Sequence, residues 1–481
     1  MKQSVILFCL MLMVFAIYGV VVPDLSAEVK TYDKGFRDDR DGWIFLHIEG
    51  EPYERGEQYG YLVAEEYQAA MESYKYMTYH TMGMDYSFFV KIGAGLHKDK
   101  IPDELLEEMK GIAAGLTKAG IPATLDDIIG FNAFMEITEN WWPSFGAAKY
   151  SESAPNGATR GKGRCSAFIA TGRATADGKI VIAHETFDDY WNATNENIIV
   201  DLVPAEGASI MYQAAGPGFI NSQEDWYLTS AGIVMVETSI VGISSYDLNG
   251  IPNYVRSRMA MQYGDSIDSV IKIMQESNNG GNAAMWLIGD INTNEIAQLQ
   301  QGLIYQAVEK KSDGYIFSCN AVSDPRIRNL ECSGVGYNDI RRQTGGRRTR
   351  FPQLMEKYYG KIDVEIAQKI LADTYDVYLK KDLGGGANTI CAHYDIDPRY
   401  YFSDHSTGIW PDPYSPGGSI DGKVTTAGLA KEMKMWGRWG SADGKDFDSD
   451  SYLRENPQWN WQSRVLKSRP SRPWSLFAGK Q

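Results

Sequence analysis

Cys165 heads the run Cys165-Ser166-Ala167-Phe168-Ile169-Ala170-Thr171, and His184, Glu185, Thr186 and Asp188 follow a short way on. A thiol near an imidazole, a hydroxyl and carboxylates is the material of nucleophilic acyl chemistry. Sulfur attacks a carbonyl carbon while its neighbours move the proton. The run after Cys165 is apolar and reads as a buried strand. Asp177-Gly178 is a hairpin signal, since both positions tolerate positive φ, and Lys179 to Ala183 returns as a second strand. That hairpin carries residues 184–188 back beside Cys165.

A cysteine that opens a strand directly after a cleavable linker can supply its own base. If the chain is cut before Cys165, the freed α-amine has a reference pKa of about 7.7–8.0, close to working pH, against about 8.5 for a free thiol. One residue then provides both nucleophile and proton acceptor. The competing reading is a small buried apolar residue, the commonest use of a free cysteine.

The rest of the chain must position this stretch. Residues 1–27 read as an export signal: Lys2, an apolar core from Val5 to Val22, and Leu25-Ser26-Ala27 as a cleavage site. The alternative for that segment is an uncleaved anchor. After its removal no segment is apolar enough to span a bilayer, which predicts a secreted or periplasmic protein, lysosomal in a eukaryote. The formal net charge of −15 argues against nucleic acid and anionic membranes as natural partners. Cys319 and Cys332 could close a short disulfide loop. No Cys-x-x-Cys occurs and the six histidines are scattered, so neither a metal nor a cofactor is expected. Asp188-Asp189 has no third carboxylate at a convincing spacing. Oligomeric state is not written in the pattern.

Residues 28–143 read as mainly helical, after a strand at Trp43–Ile48 and the glycine-punctuated GEPYERGEQYG at 50–60. Helices are predicted from Leu62 to about Met77, from Pro102 to Ala119, with an acidic first turn, and from Leu125 to Glu136. Residues 144–164 are polar and rich in Gly, Ala and Ser, which marks an exposed linker where chains are cut. From Cys165 to the end the pattern turns to strands: 198–203, 209–213, 227–240 and a meander over 285–320. Helices interrupt at 267–274 and 364–378. Sheets with segregated helices make the fold α+β.

The helical prefix with GEPYERGEQYG, DDIIGFNAFMEI at 126–137, and Cys165 opening CSAFIATG resemble the penicillin acyltransferase-type branch of the N-terminal nucleophile hydrolases. AHETFDDY at 183–190, SAGIVMVETSI at 230–240, NNGGNAAMW at 278–286 and GGSIDGKVT at 417–425 resemble the phospholipase B-like proteins of the same superfamily. The resemblance implies a four-layer αββα sandwich with a helical amino-terminal segment, self-cleavage before Cys165, and hydrolysis of an amide or ester acyl bond. It implies Cys165 as nucleophile, His184 beside the sulfur and Thr238 as an active-site threonine. It further implies Asn320 as a donor to the developing oxyanion and Arg350 as the arginine that orients the nucleophile region. Arg164 precedes the cysteine where relatives carry a small residue, and Phe187 stands in place of a tryptophan.

Each assignment has a plainer alternative. His184 can be a core histidine, Thr238 an ordinary strand residue and Asn320 a turn residue. Arg350 lies in a basic run in which Arg348 is a rival. The leading expectation is an exported, self-processing cysteine amidohydrolase acting on a small or lipid-like acylated substrate. A phospholipase B-like deacylase of lipid esters is the second. A secreted binding protein that keeps the fold without catalysis is the third, and a papain-like protease is disfavoured because Cys165 opens a strand rather than a helix.

Overall fold

The central strands carry apolar side chains on both faces, and successive residues along them fall into three apolar layers. The structure, a computed structural model, describes residues 29–150, 165–222, 226–333, 336–398 and 414–480. The predicted signal at 1–27 and most of the predicted linker, 151–164 with Arg164, lie outside the described residues.

Nineteen strands are numbered along the described chain. β1 to β3 are Lys30–Tyr32, Gly35–Arg40 and Trp43–Gly50, and β4 and β5 are Cys165–Thr171 and Val181–Asp189. β6 to β9 are Ile198–Pro204, Ile210–Ala214, Trp226–Thr229 and Ile233–Ser239. β10 to β13 are Ala284–Asp290, Glu295–Gln301, Gln306–Lys311 and Gly314–Ser318. β14 to β19 are Tyr375–Asp376, Lys381–Asp382, Gly417–Ser419, Asp421–Thr426, Lys434–Trp439 and Ser475–Ala478. One sheet runs β1-β2-β3-β6-β7-β8-β9-β10-β11-β12; the other runs β13-β4-β5-β17-β18-β19, with β16 also paired to β5. All pairings within these two sheets are antiparallel except β3 with β6.

In β3, Ile44, Leu46 and Ile48 join the core beneath the amino-terminal helices, whereas Trp43 and Phe45 join the core between the sheets. In β4, Ala167 and Ile169 face that inter-sheet core, whereas Phe168 and Ala170 face the helices Gln343–Lys357 and Val364–Leu371. Helices, sheet, sheet and helices stack in that order. The fold is the expected α+β four-layer sandwich.

The amino-terminal helices are α1 Pro52–Leu62, α2 Ala64–Met82, α3 Tyr86–His97, α4 Asp103–Lys118 and α5 Leu125–Glu136. GEPYERGEQYG is therefore mostly helix, where the sequence suggested punctuation, and its glycines have a packing reason. A Cβ on Gly56 or Gly60 would meet backbone atoms of Glu108 or Ile112 at 2.0 and 2.1 Å, and one on Gly111 or Gly115 would meet Tyr53 or Glu57 at 2.2 and 2.1 Å. Backbone touches backbone along α1 and α4, and only glycine permits it.

Other boundaries moved. The strand expected at 227–240 is two strands that turn at 230–232, and the helix expected at 364–378 stops at Leu371. Residues 144–150 continue a helical stretch rather than a loop. The loop that a Cys319–Cys332 disulfide could have closed is not covalently closed: all four described cysteines are free thiols.

Candidate active site

Antiparallel register sets the geometry. Cys165 pairs with Thr186 and Ala167 with His184 across β4 and β5, and His184 pairs with Lys423 across β5 and β17. Directly paired residues share a face, as do residues two apart on one strand. Cys165, Thr186, His184 and Lys423 therefore project with Ala167 and Ile169 toward the space between the sheets. Cys165 is buried, at the end of that core.

The nitrogen of Cys165 is held. It donates to Asn320 Oδ1 at 3.2 Å, and Arg347 Nη2 donates to the same oxygen at 2.6 Å. Arg347 Nη1 donates to the Cys165 carbonyl and, at 3.2 Å, to Ser166 Oγ. The guanidinium lies over the Phe187 ring, 5.1 Å from its centroid, so the aromatic wall keeps a purpose without an indole. One arginine thus holds the carbonyl of the first residue of β4 directly and its nitrogen through Asn320.

This arginine is not the expected one. Arg350 makes a two-pronged pair with Asp373, at 2.9 and 2.7 Å, and stacks on Tyr375. Arg348 donates to the Tyr337 carbonyl. Arg347 was legible in principle: it stands four, seven and eight residues before Phe351, Leu354 and Met355, all buried on the sheet-facing side of the helix. Arg350 lies off that side.

Asn320 sits just past β13 in the left-handed region, φ +66°, which asparagine tolerates. Its Nδ2 donates to the Ser239 carbonyl at 2.8 Å. With the oxygen accepting from two donors and the nitrogen facing a carbonyl, the amide orientation is fixed by its partners. Asn320 thus ties the nitrogen of residue 165 to the end of β9. Thr238, from the facing sheet, accepts from Asn320 N at 3.2 Å and shares a 2.5 Å hydrogen bond with Ser318 Oγ. It braces the turn that carries Asn320.

His184 is fully buried and donates from Nε2 to the Glu237 carbonyl at 2.9 Å. A carbonyl can only accept, so Nε2 carries a hydrogen, and in the neutral ring Nδ1 carries the lone pair. Burial, and then the charge of Lys423, hold its pKa well below the usual 6.5. Beside it lies a polar knot the sequence did not reveal. Lys423 Nζ donates to Thr186 Oγ1 at 2.8 Å, Gln213 Oε1 at 2.5 Å and Asp421 Oδ2 at 2.8 Å, and Asp421 Oδ1 accepts from Thr186 N. The buried ammonium is matched by a buried carboxylate two residues away on its own strand. Glu185 faces the opposite side of the sheet, where burial and the neighbouring Cys391 raise its carboxyl well above the usual range.

Cys165, His184, Thr238 and Asn320 are thus gathered at one end of the inter-sheet core, Arg347 joins them and Arg350 does not. A cleft of about 400 Å³ lined by Glu57, Lys110 and Lys118 lies on the helical side of the ten-stranded sheet and includes none of the residues gathered around Cys165. Among the described residues no helix is long and apolar enough to cross a membrane.

Residues 103–317 match the family model described as Phospholipase B. That span contains Cys165, His184 and Thr238 and ends just short of Asn320. An uncharacterized protein of Archaeoglobus fulgidus is 24% identical over 279 residues, 54% of this chain; the match spans 44% of that protein's length. Among solved structures, penicillin V acylase from Agrobacterium tumefaciens aligns over 57% of this chain and 83% of its own, with 9% identity and a TM-score of 0.33. A mutant conjugated bile acid hydrolase from Clostridium perfringens aligns over 57% and 88%, with 10% identity and a TM-score of 0.29.

Proposed function

On the match of residues 103–317 to the phospholipase B family, we propose an exported cysteine hydrolase of acyl bonds that cuts itself before Cys165. The observation that carries this reading is the grip on the nitrogen of Cys165. In the uncut chain that nitrogen is a backbone N–H donating to Asn320 Oδ1. After cleavage it is an α-amine held by the same oxygen. Arg347 donates to that oxygen too, and a guanidinium so near disfavours the ammonium form. The amine is thereby biased toward the free base that a thiol needs.

The steps follow from the placement. The amine takes the thiol proton as sulfur attacks the acyl carbonyl, and the oxyanion accepts from the remaining Asn320 amide hydrogen. Loss of one such donor typically costs about 2.7–4 kcal/mol in the barrier. The amine returns the proton to the leaving group, and water releases the acyl group from sulfur. Lys423 and Asp421 hold Thr186 rigidly opposite the nucleophile. An N-acyl amide of a small, partly apolar substrate is the leading substrate class. The family description favours a second, the acyl ester of a phospholipid.

The test is intact mass and amino-terminal sequencing of wild type beside Cys165→Ala, followed by turnover of paired N-acyl amide and phospholipid ester substrates. A wild-type fragment beginning Cys165-Ser166-Ala167, an uncut variant and amide turnover lost with the thiol support the reading. Ester-only turnover moves it to the lipid class. A wild type that stays whole and never captures an acyl electrophile at Cys165 overturns it.

A further inference from the structure

A second cluster of reactive side chains lies on the other face of β5, and the reaction above does not use it. Cys391 and His393 are two apart in an extended stretch, which puts their side chains on one side. The backbone fixes them, with His393 N donating to the Gly386 carbonyl at 3.2 Å and Ser419 N to the Ala392 carbonyl at 2.7 Å. Asp443 comes from the loop after β18. Cys391 Sγ lies 3.9 Å from His393 Nε2, and that nitrogen lies 3.1 Å from Asp443 Oδ2. One donor atom from each residue falls within 4.8 Å of the others. Ser441 Oγ stands 3.2 Å from the same nitrogen and 3.4 Å from the same sulfur.

We propose that Cys391, His393 and Asp443 form a binding site for one zinc-class divalent cation, with the Ser441 hydroxyl or a water at the fourth corner. Donors bound to tetrahedral zinc at about 2.0–2.3 Å stand roughly 3–4 Å apart, as the histidine nitrogen stands from the sulfur and from the carboxylate. The surroundings are those of a ligand set. Asp443 Oδ1 already accepts from Ser441 Oγ at 2.8 Å and Lys445 N at 3.0 Å, which aims Oδ2 at the cluster. His393 Nδ1 faces Asp395 Oδ1 at 3.7 Å, the carboxylate that orients a metal-bound imidazole from behind. Cys391 and His393 are buried, and Asp443 is the most exposed of the three donors, so the ion reaches the site past it. The Cys-x-His spacing, with its third donor fifty residues beyond the histidine, is why a search for paired Cys-x-x-Cys motifs passes over it. The cation would clip the 386–395 segment to the 441–443 loop behind the reacting sheet, and the assignment holds whether or not Cys165 reacts.

The test is cobalt(II) titration of the chelator-treated full-length protein, with zinc content of the untreated protein measured by mass spectrometry. One equivalent per chain is expected, with a sulfur-to-cobalt charge-transfer band that persists in Cys165→Ala and Cys332→Ser and disappears in Cys391→Ser. Asp395→Asn is expected to weaken affinity about 10–100-fold. A wild type with no stoichiometric cobalt, or a band that survives Cys391→Ser or vanishes with Cys165→Ala, overturns the site. If Cys391→Ser does not fold by circular dichroism, Asp443→Asn decides: unchanged cobalt affinity overturns the site, and a marked loss supports it.

Discussion

Cys165 and Cys391 are both buried and both close to β5, yet their surroundings share little. Around Cys165 the contacts are made to the backbone: Asn320 to its nitrogen, Arg347 to its carbonyl, and Thr186 directly across the ladder. Around Cys391 the contacts converge on side-chain donor atoms, a thiol, an imidazole and a carboxylate within reach of one centre. The first arrangement fixes the main chain at residue 165. The second gathers lone pairs. Burial beside a histidine therefore does not identify a nucleophile; what distinguishes the inner thiol is that its own main chain is gripped next to a cation.

The strongest way to break this comparison is to remove the cation. Arg347→Met strips the Cys165 carbonyl and Asn320 of charge-assisted hydrogen bonds worth about 1.5–3 kcal/mol each. Self-cleavage and turnover are expected to fall by about a hundredfold, measured by single-turnover kinetics, with the cobalt spectrum unaltered. Arg350→Met removes the part-buried Asp373 pair with its Gln353 and Tyr375 contacts, none of which reaches Cys165, and is expected to cost about 1 kcal/mol in a urea melt. The opposite ranking would return the orienting role to Arg350.

Thr238→Val sharpens it further, because Thr238 touches only the inner site. The change keeps the shape but leaves Asn320 N and Ser318 Oγ short of a partner, at about 1–3 kcal/mol. Melts should show that loss and turnover should drop with it. A fully stable variant of normal rate would mean the Asn320 turn stands unaided.

The smallest effect is a pH dependence. His184 is packed against Lys423 and the Glu237 carbonyl, and burial keeps its folded-state pKa below 6.5. Below pH 6.5 the unfolded chain binds a proton that the folded chain refuses. Stability is thus present above 6.5 and lost as the pH falls, by about 1.4 kcal/mol per unit for one proton. Urea melts at pH 7.5 and 5.5 should show a shallower decline in His184→Gln, and equal declines would remove His184 as the source.

How much of this was legible depends on how far apart the partners are in sequence. Periodicity alone gives α4 and α5, the strand at Cys165, its hairpin and the meander to Asn320, because each is a local pattern. The helix Gln343–Lys357 was hidden by Gly345, Gly346 and Pro352, residues with poor helix propensity that tertiary packing overrides. With it went the phase that separates Arg347 from Arg350. The knot of Thr186, Gln213, Asp421 and Lys423 comes from three strands whose pairing no local pattern specifies. His393 and Asp443 are separated in the same way, by fifty residues and a sheet edge.

The parallel ladder between β3 and β6 bears on what self-cleavage would leave behind. Seven residues of β3, Ile44 to Gly50, pair with Ile198 to Pro204, and α1 to α5 share one apolar core with the strands beyond Cys165. A chain cut before Cys165 would be two polypeptides but a single folding unit, joined by main-chain hydrogen bonds and a common interior rather than by a surface contact. Native gel filtration would register no change on maturation, and denaturing electrophoresis would show both pieces.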